Sequence, residues 1–467
     1  MSSSESAWDV VTGTWPGRVG VALITLLALL SVGVLLTMPL DFGRVWNDPS
    51  AWADLPKAVP PVWSAFLSGV KPSLQRELVL RATSSGPGYE VLESVLVVDS
   101  DLPPSHLVVK VSSVSFRSGP PAILVDVLRP DGIDVPIARI TPPGPRPGES
   151  PPYVRYAERP YRFELSQGSE GISYLASELS LRYGAELKGT EPPPDLLFGR
   201  PDPVSGGLEV LRGTYLIRAT VYRSSDDDSV GAISVVLGGS HYGLVGTDGV
   251  GRDLLLGLLY GFPVALGIGL FASVLVTSIG ALLGVLSGYY RGKVETVIQR
   301  AADVVANVPL LPILIFLSFV LRPSILTIMA LLVAFSWPGL AIVVRSMVLQ
   351  IVPTPFVEAS RAIGSSDLRV MFMHVLPQLG PYLLAQTVFF APSAILAEAG
   401  LSFLGLGDPS IPTWGQILEL GFRTGAVFTG YWWWVIPPGV LLAITGLAFA
   451  SLAMGLEPLA APKLRRV

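Results

Sequence analysis

The sequence predicts an α-helical membrane protein with six transmembrane helices and an extracytoplasmic, mainly-β domain inserted after the first of them. Three observations predict it. The chain is 50% hydrophobic and only 15% charged, with a mean hydropathy of +0.55, too apolar for a water-soluble protein of this size. Long apolar runs stand near the N-terminus and again after residue 261. Between them, residues 41–240 hold no run able to cross a bilayer and instead alternate apolar with polar positions.

The first run, Val19 to Leu40, is uninterrupted between Arg18 and Asp41. Its 22 residues at a 1.5 Å rise give about 33 Å, enough for a hydrocarbon core of roughly 30 Å. It lacks the short apolar region and small-residue cleavage site of a signal peptide, so it reads as a retained span. Five further spans are expected at residues 262–286, 301–321, 325–344, 381–403 and 431–456. The resulting plan is an N-terminal arm (1–18), the first helix (19–40), the inserted domain (41–240), an interfacial segment (241–261), a five-helix core (262–456) carrying a polar loop (345–380), and a C-terminal tail (457–467).

Lys and Arg orient this plan. One set of connections carries Arg18, Arg291, Lys293, Arg300, Arg345, Arg361, Arg369, Lys463, Arg465 and Arg466; the short loops on the other side carry only Arg322 and Arg423. Positive charge collects on the cytosolic side, so both termini and the 345–380 loop are expected in the cytosol of a cell-membrane protein, with residues 41–240 outside. A net charge of -4 without a long basic run gives no basis for nucleic-acid binding; the lipid membrane is the expected surroundings. There are no cysteines, which excludes disulfides and cysteine-ligated metals.

In the inserted domain, residues 107–116, 122–128 and 214–222 alternate as half-buried strands, while 91–98 and 232–237 read as more buried ones. Residues 169–183 alone have helical spacing, with Ile172, Leu175, Ala176 and Leu179 on one side and Gly184 as the stop. A sandwich is the expected form. It reads equally as a solvated cap or as a docking platform. His106 has no second ligand at metal spacing and reads as a structural or surface histidine; no metal site is expected.

Gly246, Thr247, Asp248, Gly251, Arg252 and Asp253 precede the second span. Thr247 or Asp248 is placed to cap its helix, and Arg252 and Asp253 to settle at the interface. No Gly-Lys-Ser/Thr follows, so this is not a phosphate loop. Gly280, Gly284 and Gly288 repeat every four residues, as close helix packing requires, although glycine is common in membrane helices in any case. Asp303 and Asn307 open the third span, where Pro309 and Pro312 break the hydrogen-bond ladder. Glu398 is a carboxylate inside an apolar run and a candidate for a transport path, unless it lies near enough to the outer interface to be hydrated. Trp432 to Trp434 mark the interface of the last span.

Residues 353–378 form a polar segment between two apolar runs. Thr354 and Pro355 supply a cap and a first-turn proline, and Gly364 ends the helix. Ser365, Ser366 and Asp367 cap a second helix expected to reach Leu376 and stop at Pro377. On the first helix Phe356, Ala359, Ser360 and Ile363 share one face, with Glu358 and Arg361 beside it. Such a face suits a groove on another protein. The bland alternative is an ordinary loop between two membrane helices.

Glu358-Ala359-Ser360, Gly364 six residues after the glutamate, and Leu376-Pro377 resemble the EAA loop of ABC importer permeases. With His374 they are similar to the dipeptide/oligopeptide branch. The segment Gly246 to Asp253 resembles the GTDxxGRD signature of the same branch. The resemblance covers residues 246–456 and the placement of the first span, but not the inserted domain. It implies a type I ABC importer permease core that forms the translocation path for di- or oligopeptides delivered by an extracytoplasmic substrate-binding protein. The implied partners are a second homologous permease and two ABC ATPase subunits, docked through Phe356, Glu358, Ala359, Ser360, Arg361, Ile363 and Gly364. The chain would be no enzyme and bind no cofactor, ATP and Mg being used by the partner subunits. Candidate path residues are Asp303, Asn307 and Glu398. Importers of oligosaccharide or nickel share this architecture. A mechanotransmission protein acting through its external domain is the rival from another class, although that plan has three spans after the domain. A membrane-anchored enzyme would need a catalytic set that the sequence does not display.

Overall fold

The computed structural model describes residues 7–166, 169–185, 187, 191–202, 207–321 and 324–460. The readings made above for residues 1–6, for Arg322 and for Lys463, Arg465 and Arg466 lie outside the described residues. The chain forms two compact units: Met1–Asp48 with Leu256–Val467, and Pro49–Leu255.

The first unit is helical. Among the described residues, five helices are long and apolar enough to cross a membrane: Trp15–Thr37, Leu254–Tyr290, Ile325–Ile351, Asp367–Phe403 and Trp432–Pro458. The expected span at 301–321 is not one straight helix. Gly292–Ala306 and Leu310–Leu317 meet at 80°, and a sixth span is counted only if this bent pair is taken as one. Asn307 closes the first member through its N–H to Asp303 O at 3.2 Å. Pro309 has no N–H to carry the ladder onward. The eleven residues of Leu310–Val320 extend about 16 Å, half of a hydrocarbon core.

The first span begins at Trp15, four residues before the apolar run. Gly17 N donates to Thr14 Oγ1 at 3.1 Å, and Pro16 occupies the first turn. Glycine lets the spans touch backbone to backbone. A Cβ on Gly20 would fall 2.3 Å from Leu452 N, which places the first span directly against the last. The repeat noted in the second span lets side chains of the fourth span seat on its backbone. Cβ atoms on Gly280, Gly284 and Gly288 would fall 3.0, 2.6 and 2.7 Å from Leu340, Val344 and Val348 side chains.

Pro377 does not stop the helix before the fifth span, contrary to expectation. Asp367–Val370 passes through a π turn, Met371–Val375, into Leu376–Phe403 as one continuous rod. Leu376 N–H bonds Met371 O, five residues back, and this wide turn absorbs the missing N–H and the bulk of the following proline.

The second unit carries an antiparallel five-stranded sheet in the order Arg81–Gly86, Tyr89–Val98, Gly213–Tyr222, Ala122–Leu128 and Asp134–Ile140. A four-stranded antiparallel sheet runs Arg76–Val79, Ile233–Leu237, Leu107–Val111, Tyr161–Glu164. Tyr215, Ile217, Ala219 and Val221 from the first share one core with Val109, Val111 and Val235 from the second. The helix Glu170–Tyr183 adds Ile172, Leu175, Ala176 and Leu179 to that core and ends at Gly184, whose φ is +66°. Strand Tyr89–Val98 is less buried than its apolar sequence predicts. Leu96 and Val98 face the core, whereas Val95 and Val97 are each 57% exposed on the open face of the sheet. The unit also differs from the expected 41–240 in its limits. Gly43 and Trp46 pack on Ser410 and Gly257 in the helical unit, whereas Thr247 and Asp248 bond Val59 and Ala58 in the β unit.

Candidate functional site

The polar loop between the fourth and fifth spans carries the candidate site. Thr354 takes an extended conformation before Pro355, and Val357 N and Glu358 N bond Thr354 O at 3.0 and 3.1 Å. The helix runs Pro355–Ala362. Its end requires glycine: Gly364 has φ +85°, and Ser365 N returns to Ser360 O at 3.2 Å, satisfying a terminal carbonyl.

Burial splits the predicted face. Phe356 and Ile363 are 61% and 84% exposed, and Glu358, Ala359, Arg361 and Gly364 are exposed too. Ser360 is buried together with Val357 and does not belong to that face. The reason is the core behind the helix: Val357, Val370, Met371 and Val375 close on Val344 and Val348 of the fourth span and on Val352 just after it, and the i, i+3 pair Val357/Ser360 is buried on that side. Phe356 instead meets the His374 ring edge-on at 5.1 Å. Leu368, Phe372 and Met373 are also exposed, so the segment presents an apolar surface wider than its first helix.

Tyr289, one residue from the end of the second span, was not singled out by sequence. It is 6% exposed. Its hydroxyl donates to Asp367 Oδ1 at 2.7 Å and accepts from Arg361 Nε at 3.2 Å. The Arg361 guanidinium carbon lies 4.6 Å over its ring. The tandem Tyr289-Tyr290 at a helix end was the available signal, but its partners are 72 and 78 residues away. Sequence reading also missed an apolar groove of about 650 Å³ beside the π turn, lined by Thr277, Ala281, Val285, Met371, Leu376 and Gly380 among others.

The Gly246 to Asp253 segment is a tight loop. Asp248 is fully buried; its Oδ1 accepts from Val250 N and Arg252 N, both at 2.9 Å, and its Oδ2 from Arg252 Nε at 2.5 Å. Gly246 and Gly251 have φ of +89° and +94°. Neither Thr247 nor Asp248 caps the second span, contrary to expectation. Asp253 does, accepting from Leu255 N at 2.9 Å, because Asp248 is spent on closing the loop and Thr247 Oγ1 accepts from Val59 N at 3.2 Å.

The three candidate path residues occupy different settings. Glu398 is 4% exposed and accepts from Ser402 Oγ at 2.6 Å. Thr413, which caps the helix Trp414–Arg423, lies beside Ser402 at 3.5 Å. Asp303 and Asn307 are exposed at the end of Gly292–Ala306, where Asn307 Nδ2 donates to Asp303 O at 2.7 Å.

A family model described as binding-protein-dependent transport system inner membrane component matches residues 280–466. The dipeptide transport system permease protein DppC of Bacillus subtilis (strain 168) is 34% identical over 222 residues, 47% of this chain and 69% of that protein. The oligopeptide transport system permease protein OppC of the same organism is 33% identical over 47% of this chain and 72% of its own length. The di/tripeptide transport system permease protein DppC of Pseudomonas aeruginosa (strain UCBPP-PA14) is 34% identical over 49% and 75%. The chain thus belongs to the family of binding-protein-dependent transport system inner membrane components, the permease subunits of ABC importers.

Proposed function

We propose that this chain forms one half of the membrane path of an ATP-driven importer of di- or oligopeptides. An external binding protein delivers the substrate, a second permease completes the path, and two ATPase subunits bind Pro355–Ala362 as a coupling helix. The substrate class rests on the relatives, which are named for dipeptides, di/tripeptides and oligopeptides. ATP and Mg belong to the ATPases, and this chain contributes movement rather than chemistry. Positive charge at Arg291, Lys293, Arg300, Arg345, Arg361 and Arg369 supports a cytosolic coupling loop, with residues 49–255 on the outside. In this reading Asp303 and Asn307 border the path, and Glu398 braces the Trp414–Arg423 helix at its outer end.

One observation carries the proposal. Phe356 and Ile363 stand 61% and 84% exposed on a short helix that continues, through one turn and a π turn, into a membrane span. Exposed apolar side chains on so rigid a mount suit insertion into a partner's groove. The test is co-purification from the native membrane, then ATPase assays in liposomes with binding protein and candidate peptides. Wild type is expected to bring down an ATPase pair that peptide stimulates. Phe356→Asp and Glu358→Arg are expected to lose the pair or its stimulation. A stable chain without ATPase subunits, or coupling indifferent to both changes, would overturn the reading.

A further inference from the structure

We propose that Tyr289 is the positioning residue that carries coupling-helix movement into the second span. This rests on the importer reading above and deepens it. One phenol joins three elements. Its backbone belongs to the last turn of Leu254–Tyr290, its hydroxyl accepts from Arg361 Nε of Pro355–Ala362 at 3.2 Å, and the same hydroxyl donates to Asp367 Oδ1 at 2.7 Å, at the first residue of the rod that runs to Phe403. Arg361 also covers the ring at 4.6 Å.

The mount on the other side is stiff. The second span lies against the fourth through Gly280, Gly284 and Gly288, whose lack of a side chain lets Leu340, Val344 and Val348 seat directly on its backbone. Val285 and Tyr289 join Val344, Val348, Val357 and Val370 in one core. The coupling helix therefore cannot shift without carrying the second span along or breaking the contacts at Tyr289. Packing alone would allow sliding across the valine surface; the two directed hydrogen bonds at a single oxygen remove that freedom.

The experiment uses the assembled transporter in liposomes and reads peptide transported per ATP hydrolysed, with co-purified ATPase as the assembly control. Tyr289→Phe keeps the ring and the Arg361 stacking but loses both hydrogen bonds. It is expected to retain the ATPases and to lower the transport-to-hydrolysis ratio on the order of fivefold or more, fivefold being the lower end for two net hydrogen bonds. Tyr289→Leu, which also loses the stacking, is expected to fall at least as far. A wild-type ratio in Tyr289→Phe would overturn the proposal, even if Tyr289→Leu failed to assemble, because the ring would then be a packing residue only. Wild type without peptide-stimulated hydrolysis would overturn the importer reading and this proposal with it. A coupled wild type beside an equally coupled Tyr289→Phe would overturn this proposal alone.

Discussion

Asp248 and Arg252 form a buried pair: the carboxylate is fully enclosed, and Arg252 Nε lies 2.5 Å from its Oδ2. The same aspartate also accepts two backbone N–H groups, so removing it takes the carboxylate from beside a mostly buried arginine and opens the loop before the second span. Asp248→Ala is expected to cost about 3–5 kcal/mol. Asp248→Asn keeps one acceptor for the backbone and should cost less. Thermal unfolding of the purified protein orders the two, and equal midpoints would show that the backbone bonds contribute little.

Arg129 is the second buried charge whose loss should be severe. Its side chain is fully buried against Asp131, and it donates to Leu196 O, Leu197 O and Gly199 O at 2.8, 2.6 and 2.8 Å. Arg129→Met preserves much of the volume but takes the guanidinium from three carbonyls and leaves the buried Asp131 carboxylate with only the long contacts from Ile133 N and Tyr183 Oη. The expected loss is again about 3–5 kcal/mol, with early proteolytic cleavage near Pro193–Phe198. Unchanged protease resistance there would contradict this account.

Gly284 and Gly339 make a matched pair of tests in the membrane helices. A Cβ on Gly284 would fall 2.6 Å from Val344 Cβ and 2.8 Å from Ala341 O, while one on Gly339 meets nothing within 4 Å. Gly284→Leu should abolish recovery of folded protein from detergent extracts. Gly339→Ala should leave it within about 0.5 kcal/mol of wild type. Adding Val344→Ala to Gly284→Ala should restore only part of the loss, since it removes the Cγ atoms but the Cβ at position 344 and the Ala341 carbonyl remain in place.

Acid should weaken the β unit through His106. Burial holds its ring below the ordinary histidine range, and burial does the same to His241. A histidine kept neutral by the fold takes up protons more readily when unfolded. Its contribution is therefore intact above about pH 6.5 and is lost as pH falls below that value. Unfolding midpoints measured between pH 7.5 and 5.5 should decline in wild type and decline less in a His106→Gln, His241→Gln double variant. Parallel curves would assign the acid sensitivity to other groups.

Much of this protein was legible along the chain, because the relevant signals lie within a few residues of one another. Thr354 and Pro355 open a helix and Gly364 closes it; the alternation from Thr214 to Tyr222 gives the strand face; the glycines at 280, 284 and 288 give the contact stripe. Apolar length and arginine distribution need no tertiary information either. The bend at Pro309 was visible as a break, but not its 80° angle, which leaves half a span where a whole one was expected.

The sequence by itself determined the membrane class, the approximate limits of most spans, the polar helical loop between the fourth and fifth spans and the family it resembles, since periodicity, capping and backbone chemistry are local properties. Only the tertiary structure decided that Ser360 faces inward, that a π turn carries the rod past Pro377, that Asp253 is the cap of the second span, that Glu398 is enclosed, and that Tyr289 meets Arg361 and Asp367. Each of these depends on which surfaces the packed helices and sheets bring together. Neighbouring residues do not encode a hydrogen bond that spans 78 positions.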